Sequence, residues 1–567
     1  MFNVKYIQLP DYVKKKIWLN YYPKDYPKEV KIPKDKTLID TLNESVAKWG
    51  DEAFMFFYGK GYTRKQVRDG AMKLAAALYN LGVRRDDVVA IYLPNCIQFL
   101  VAYYGILMSG ATVTAISPLF VPREVAYQLK DSGAKTIVTI DLFYNNVKQI
   151  KGETQLKNII VTSIGGEKLN IDKEDLDKIV KYEELMEKTP PMPPKIRIKP
   201  TEDVAVLQYT GGTTGLPKGA MLTHYNILAN ALQIKPITET INKKYGYERT
   251  RGISVLPWYH IYGQTCEIAT ATLLNSISTC FTQFDPVQVL DAIQNFKPNT
   301  LLAVPAILIY LLNHPKSHSI DFSSLKYLSM GAAPAPVELF KQWQQVSGNP
   351  LSEGYGLTEA SPVTHTRPAP IFIGVPGSIG PPVPNTLAGI VDPDTNAFLP
   401  IGELGELVVS GPQVMKGYWK RPEETKKVFF EVEGKKWLKT GDLARMDEKG
   451  HFYIMDRTKD IIKYKGHSVY PRELEEVLFE NEAVMDATVI GVPDPESGEQ
   501  IKVFIVLKPE FKGKVSEDQI FDWCKERMAA YKYPRYVEFL DALPKSMVGK
   551  TLRRVLREQE IQKMKPA

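Results

Sequence analysis

Short apolar runs alternate with helical-period segments through the first third of the chain, and this alternation restricts the fold more than any other feature. Residues 66–81 place Val67, Ala71, Leu74, Ala75 and Leu78 on one helical face. Residues 88–93 read as a short buried strand, 96–108 as a helix and 112–116 as a strand again; 135–140 and 158–161 repeat the theme. Such alternation predicts α/β layers around mostly parallel sheets, because a parallel pair needs a crossover and a helix supplies it. After residue 374 the text becomes dense in Gly and Pro, with short strands such as 406–409, and predicts a distorted β-barrel or a small antiparallel sheet. The last hundred or so residues read as a separate unit: a helix at 472–480, strands at 485–492 and 501–507, a helix at 516–528 and a polar tail.

With 567 residues, of which 44% are hydrophobic, the chain can bury more than one core. A net charge of +7 is mild for this length, and no clustered basic face with interleaved aromatics marks a nucleic-acid binder. The four cysteines, Cys96, Cys266, Cys280 and Cys524, are scattered and form no CxxC pair, which argues against a disulfide scaffold or a zinc knuckle. No signal peptide is read at the N-terminus, and the apolar stretch 96–108 is too short to span a bilayer. A reducing, cytoplasmic setting is expected. Residues 11–22 mix lysines with Trp18, Leu19 and tyrosines; a helix packed on the body is the preferred reading, with a peripheral membrane contact as the alternative.

The strongest local signal is YTGGTTGLPKG at residues 209–219, entered from the apolar strand 204–208 and followed by a helix starting near Thr223. Gly211, Gly212, Gly215 and Gly219 let main-chain N–H groups converge on an anion. Thr210, Thr213 and Thr214 add hydroxyl donors, and Lys218 adds charge. The loop is not a Walker A, because Lys218 is followed by Gly219 rather than Ser or Thr. Further on lie EGYGLTE (353–359), KTGDL (439–443), DRTKD (456–460) and PKSMVGK (544–550). An aromatic such as Tyr355 can stack on a base, and a carboxylate such as Glu359 beside phosphate oxygens needs a hard cation between them.

These motifs, in this order, resemble those of the adenylate-forming (AMP-binding) superfamily, in its acyl-CoA synthetase or fatty-acid-CoA ligase branch, from about residue 37 to 554. The resemblance implies a large N-terminal domain of two parallel-type α/β subdomains plus a small distorted β-barrel, followed by a small mobile α+β C-terminal domain. It divides the chain into a lead-in at 1–36, the AMP-binding domain at 37–456, a hinge at 457–460 and a C-terminal domain at 461–567. By the same resemblance Tyr355 and Gly356 flank adenine, Thr358 touches the α-phosphate and Glu359 coordinates Mg²⁺. Thr214 joins the catalytic set. Asp442 and Arg457 hold the ribose, and Lys459 is the hinge. Lys550 contacts both the attacking carboxylate and the α-phosphate, where negative charge builds. LPWYHIYG (256–263) and SMGAAP (329–334) resemble the walls of the acyl pocket, with His260 near the carboxylate and Gly331 and Ala332 leaving room. Lys463 and Gly466 belong to a loop that the resemblance brings to coenzyme A.

The expected function is ATP-dependent ligation of a medium- or long-chain fatty acid to coenzyme A through an acyl-adenylate. Its substrates are ATP, CoA and a carboxylic acid, with Mg²⁺. Neither Asp nor Glu occurs at 255–264 to hold an amino group, and no carrier domain follows Lys550, so an amino-acid-activating domain is disfavoured. A fatty acyl-AMP ligase, or a ligase for a short hydroxy acid or an aromatic acid, stays open. The oligomeric state is open too, a homodimer included.

Overall fold

The structure, a computed structural model, describes residues 8–24, 26–165, 168–210, 216–367, 375, 377–457, 459–546 and 549–564. Among these residues a seven-stranded sheet runs in the order Val180–Lys181, Asn158–Thr162, Thr136–Ile140, Val88–Tyr92, Thr112–Ala115, Val204–Thr210, Lys218–Thr223. It is parallel except for its last pair. An eight-stranded sheet orders Val363–Arg367, Leu351–Gly356, Tyr327–Met330, Thr300–Ala303, Thr250–Ser254, Ser276–Cys280, Ala53–Phe57 and Lys60–Thr63; only its two edge pairs are antiparallel. This is the α/β architecture predicted.

The helices that link these strands carry the expected signals. Arg64–Asn80 starts in a capping box between Thr63 and Gln66, and its face Val67, Ala71, Leu74, Ala75, Leu78 is buried. Ile97–Met108 is buried at every residue except the first, as the core of the molecule. No helix among the described residues is long and apolar enough to cross a membrane. Beyond the sequence reading, Lys218–Thr223 is a strand antiparallel to Val204–Thr210, so the Gly/Thr loop joins two hydrogen-bonded strands before Thr223 caps the helix His224–Tyr245.

The Gly- and Pro-rich stretch forms a five-stranded antiparallel sheet: Leu387–Val391, Gly405–Ser410, Lys435–Met446 and Phe429–Val432, with Phe452–Arg457 paired to Lys435–Met446. One apolar core is shared by this sheet and both parallel sheets. The C-terminal unit has its own five-stranded sheet around Val484–Asp494 and Gly498–Leu507, and its own core with helices Pro471–Phe479 and Glu517–Arg527.

The segment before residue 37 packs on the body. Asp11–Lys14 is a single helical turn with Tyr12 and Val13 buried, and Ile17–Tyr21 is a 3-10 turn with Trp18 only 1% exposed. Trp18 meets Phe452 edge-on at 6.4 Å. Gly450 has φ +75, and a Cβ there would come within 2.8 Å of the Trp18 Cα, so only glycine fits the turn beneath the lead-in. Deleting the indole leaves a cavity between lead-in and antiparallel sheet. Trp18→Ala should therefore cost roughly 3–5 kcal/mol, read as a lower unfolding midpoint in urea.

Candidate active site

One cleft of about 2080 Å³ runs between the body and the C-terminal unit and continues into the body. At its polar end, strand pairing sets the chemistry. Asp442 and Arg457 lie directly opposite each other on Lys435–Met446 and Phe452–Arg457, with Arg457 Nε 3.3 Å from Asp442 Oδ1. The Tyr355 hydroxyl donates to the other oxygen of Asp442 at 2.5 Å. Tyr355, at the end of Leu351–Gly356, thus lies beside the carboxylate, and Gly356, Thr358 and Glu359 follow it along the cleft wall.

Glu359 sits on a 3-10 turn, Thr358–Ala360, and its Oε1 accepts a hydrogen bond from Tyr418 at 2.7 Å. The face of the same Tyr418 ring lies under Lys218 Nζ, 5.2 Å from the centroid. Lys218 is paired with Glu424, whose carboxyl is held down to about 2 by its hydrogen bonds to Lys218 and Lys427. Thr210 and Lys218 are opposite each other in register and line the cleft, closing the base of the Gly/Thr loop. Gly211, Gly212, Thr213, Thr214 and Gly215 lie outside the described residues. Tyr418 and Glu424 were not foreseen; Tyr418 lies within the segment 417–421 and Glu424 just after it, in text that has no phosphate-site spacing.

Lys550 enters from the C-terminal unit. Its turn is closed by Ser546 N–H to the Lys550 carbonyl at 2.7 Å and Gly549 N–H to the Ser546 carbonyl at 2.8 Å. Gly549 has φ +69, and a Cβ there would press on Val304 at 2.9 Å, so glycine is what lets the turn meet the body. Burial, then the Arg457 guanidinium, push Lys550 down to about 8, against the pull of Asp442 and Asp460. At the junction, Arg553 forks onto Glu475 at 2.6 and 2.7 Å and reaches Asp456 at 3.3 Å and Asp460 at 3.2 Å. Arg472 donates to the Ile454 carbonyl at 2.7 Å. Lys459 is exposed beside this cluster and lines the cleft.

Lys463 and Gly466 are not brought to the cleft. They belong to the hairpin of Ile462–Tyr464 and His467–Val469, whose two turn residues, Lys465 and Gly466, have φ +47 and +83. That is the two-residue turn whose twist suits antiparallel strands. Lys463 Nζ instead donates to Ser468 Oγ at 2.8 Å.

Beyond the polar end the cleft becomes a channel. His260 stands at its mouth; its Nδ1 accepts from the Tyr262 N–H at 3.2 Å, and burial pushes it down to about 4, so the ring is neutral near pH 7. Gly331 and Ala332 line the same region, and a Cβ at Gly331 would touch the Tyr262 ring at 3.3 Å. Deeper in, alternate strand residues form one wall: Thr250, Gly252 and Ser254, then Ser276 and Ser278, then Thr300 and Leu302. Their neighbours Leu301 and Leu328 face the opposite, apolar core. The facing wall is the helix His224–Tyr245, through Ile234 and Ile237, and a π-helical turn, Gly263–Ala269. This wall was not foreseen; the period-2 patterns TRGIS (250–254) and SISTC (276–280), with small residues on one face, are the signal that could have found it.

The π turn carries Glu267 into the channel wall, just past the stretch 255–264 in which no acidic residue occurs. It bonds to Ser254 Oγ, to Trp258 Nε1 at 2.9 Å and to the Leu256 N–H at 3.4 Å. Burial pushes its carboxyl up to about 8, and no cation is among the groups that shift it.

One cleft thus joins a charged, polar end to a less polar channel, an arrangement that can hold a phosphorylated ligand beside an apolar one. The chain belongs to the AMP-binding enzyme family: residues 42–419 match its main domain and residues 473–550 its C-terminal domain. It is 42% identical over 566 residues to a long-chain-fatty-acid–CoA ligase of Bacillus subtilis (strain 168), covering 96% of this chain and 98% of that protein. Among solved structures, the anthranilate CoA ligase AuaEII in complex with anthranoyl-AMP is similar at a TM-score of 0.82 and 26% identity, covering 93% of this chain and 98% of that one. ATP-bound MatB from Rhodopseudomonas palustris is similar at 0.81 and 26%, covering 93% and 100%.

Two titrations follow from this geometry. Lys550 loses its proton as pH rises through about 8 in the free protein, so kcat/KM for ATP should bend downward there. Glu267 is neutral when folded between its ordinary 4.5 and about 8, but ionised when unfolded. The folded state binds the extra proton, so stability falls as pH rises through this window. Glu267→Gln should raise the Tm relative to the parent protein at pH 8, by an equivalent on the order of 4 kcal/mol, and leave it unchanged at pH 4.

Proposed function

We propose that this protein is an AMP-forming acyl-CoA synthetase for medium- or long-chain fatty acids. It joins a carboxylic acid to coenzyme A at the expense of ATP, through an acyl-adenylate. The convergence of Lys550 with the Asp442–Arg457 pair, at one end of a cleft whose other end is a long channel, carries this reading. The full-length similarity to long-chain-fatty-acid–CoA ligases supports it.

In the first half-reaction the acid lies in the channel with its carboxylate between His260 and Lys550. Asp442 accepts from the ribose hydroxyls, and Arg457 keeps Asp442 oriented. Tyr355, anchored through its hydroxyl, offers its ring to adenine. Lys550, as ammonium, lies against the attacking carboxylate and the α-phosphate and offsets the charge that develops on the equatorial oxygens. The carboxylate oxygen forms a bond to the α-phosphorus, and pyrophosphate leaves. Lys218 exchanges Glu424 for phosphate oxygens, as an ammonium of one positive charge opposite Thr210; Gly211, Gly212, Thr213, Thr214 and Gly215 are the residues proposed to bind the phosphates with it. Glu359 is a hard oxygen donor with one oxygen already oriented by Tyr418, which fits Mg²⁺ brought in with the triphosphate. When bound, Mg²⁺ supplies charge neutralisation at the phosphates.

In the second half-reaction the unit 461–567 turns about residues 457–460, with Lys459 at the pivot. Lys550 withdraws, and the hairpin of Lys463 and Gly466 comes to the pantetheine path. The CoA thiolate attacks the acyl carbonyl, the thioester forms and AMP leaves. The body is 37–456, and 1–36 is a lead-in. A cytoplasmic setting belongs to this proposal; Cys96, Cys266, Cys280 and Cys524 are all free thiols.

Lys550→Ala should slow acyl-AMP formation by roughly 10²–10³-fold yet convert supplied acyl-AMP and CoA to thioester at nearly the parent rate. Equal loss in both halves would sink the assignment. AMP release with fatty acid that does not depend on CoA, and yields no thioester, would identify a fatty acyl-AMP ligase instead.

A further inference from the structure

The channel follows the strands of the eight-stranded sheet to their beginnings, where Thr250, Thr300 and Tyr327 line its inner end. What lies behind that end comes from the lead-in. Tyr26, 6% exposed, packs into one small apolar cluster with Ile237, Ile241 and Tyr327, with Tyr22 and Leu302 against it. Ile237, Leu302 and Tyr327 are also channel-lining residues, so Tyr26 is the next layer outward. Thr366 lines the channel on one side and, on the other, a small void bounded by Tyr22, Pro23 and Tyr26. A single layer of side chains therefore separates the channel from the lead-in.

The lead-in is held there by few bonds. Tyr22 donates its hydroxyl to the Pro382 carbonyl, and the Val30 N–H donates to Asn385 Oδ1 at 2.8 Å. The two tyrosine rings meet edge-on at 5.3 Å. The Tyr26 hydroxyl is buried with no hydrogen-bond partner among the described residues. A buried donor left unpaired is unfavourable, so what this ring contributes at the position is its size rather than a bond. Residue 26 also lies outside the stretch 42–419 that matches the family.

We propose that Tyr26 is the end-stop of the acyl channel, a specificity-determining residue that sets the longest fatty acid the protein accepts. The proposal rests on the acyl-CoA synthetase reading above. An acid that fits leaves its terminal methyl against Tyr327, Ile237 and Thr366. A longer one must displace them outward, and Tyr26 stands in the way. Removing the ring opens the void behind Thr366 and lets further methylenes be buried, each worth about fourfold in affinity.

The experiment is kcat/KM for AMP release with saturated acids of increasing length. Tyr26→Ala should move the optimum to acids at least two carbons longer, with the ratio of longer to parent-optimal acid rising about tenfold or more. Tyr26→Phe, which keeps the plug, should keep the parent optimum. Should the alanine variant not fold, Tyr26→Leu reads the same shift at smaller amplitude. An unmoved length profile in Tyr26→Leu, or an equal fall at every length, overturns the end-stop. A parent protein that releases no AMP with any fatty acid removes the fatty-acid reading itself; activity in the parent with an unmoved variant profile removes only the role of Tyr26.

Discussion

The ion cluster at the junction holds the active arrangement together. Arg553 meets Asp456, Asp460 and Glu475 from one guanidinium, and Arg472 supports Asp456 with its backbone N–H at 3.0 Å. Three carboxylates this close repel one another unless a cation sits among them, and a half-buried site strengthens both effects. Arg553 is only three residues beyond Lys550. The charge balance that docks the C-terminal unit therefore also delivers the lysine to the cleft. Such a cluster is favourable only while its geometry is good, which suits the proposed turning of this junction.

The cleft has opposite electrostatic character at its two ends. Asp442 is paired with Arg457, Lys218 with Glu424, and Glu359 accepts from the neutral Tyr418 hydroxyl, so a bound nucleotide would substitute for existing contacts rather than meet bare charges. Along the channel, His260 and Glu267 are both driven by burial toward their neutral forms. An alkyl chain can lie against neutral groups at little cost, whereas an ionised one would have to be desolvated. Glu267 also shows why a carboxyl in a substrate channel need not be a charge receptor: its oxygens are occupied by Trp258, Ser254 and the Leu256 N–H.

Much of this was legible before any coordinates. The apolar face of Arg64–Asn80, the buried Ile97–Met108 and the parallel strands are local patterns, and they appeared within a few residues of where periodicity put them. The strand Lys218–Thr223 was missed because KGAMLT is short and follows a Gly-rich loop. Tyr418 and Glu424 were missed because their roles exist only through Glu359 and Lys218, residues far away in sequence. The place of Lys463 and Gly466 depends on how the C-terminal unit is docked, which no local pattern encodes.

The sequence by itself determined the class of fold, the family to which the motifs belong, and the order in which they occur. Each of these depends on a few neighbouring residues and on backbone preferences that act over short distances. Only the tertiary structure decided which distant side chains share a cleft, which charges are already paired, and how far the channel extends. Those depend on packing between elements hundreds of residues apart, down to Tyr26 behind Tyr327, and burial and distance are properties of the folded chain alone.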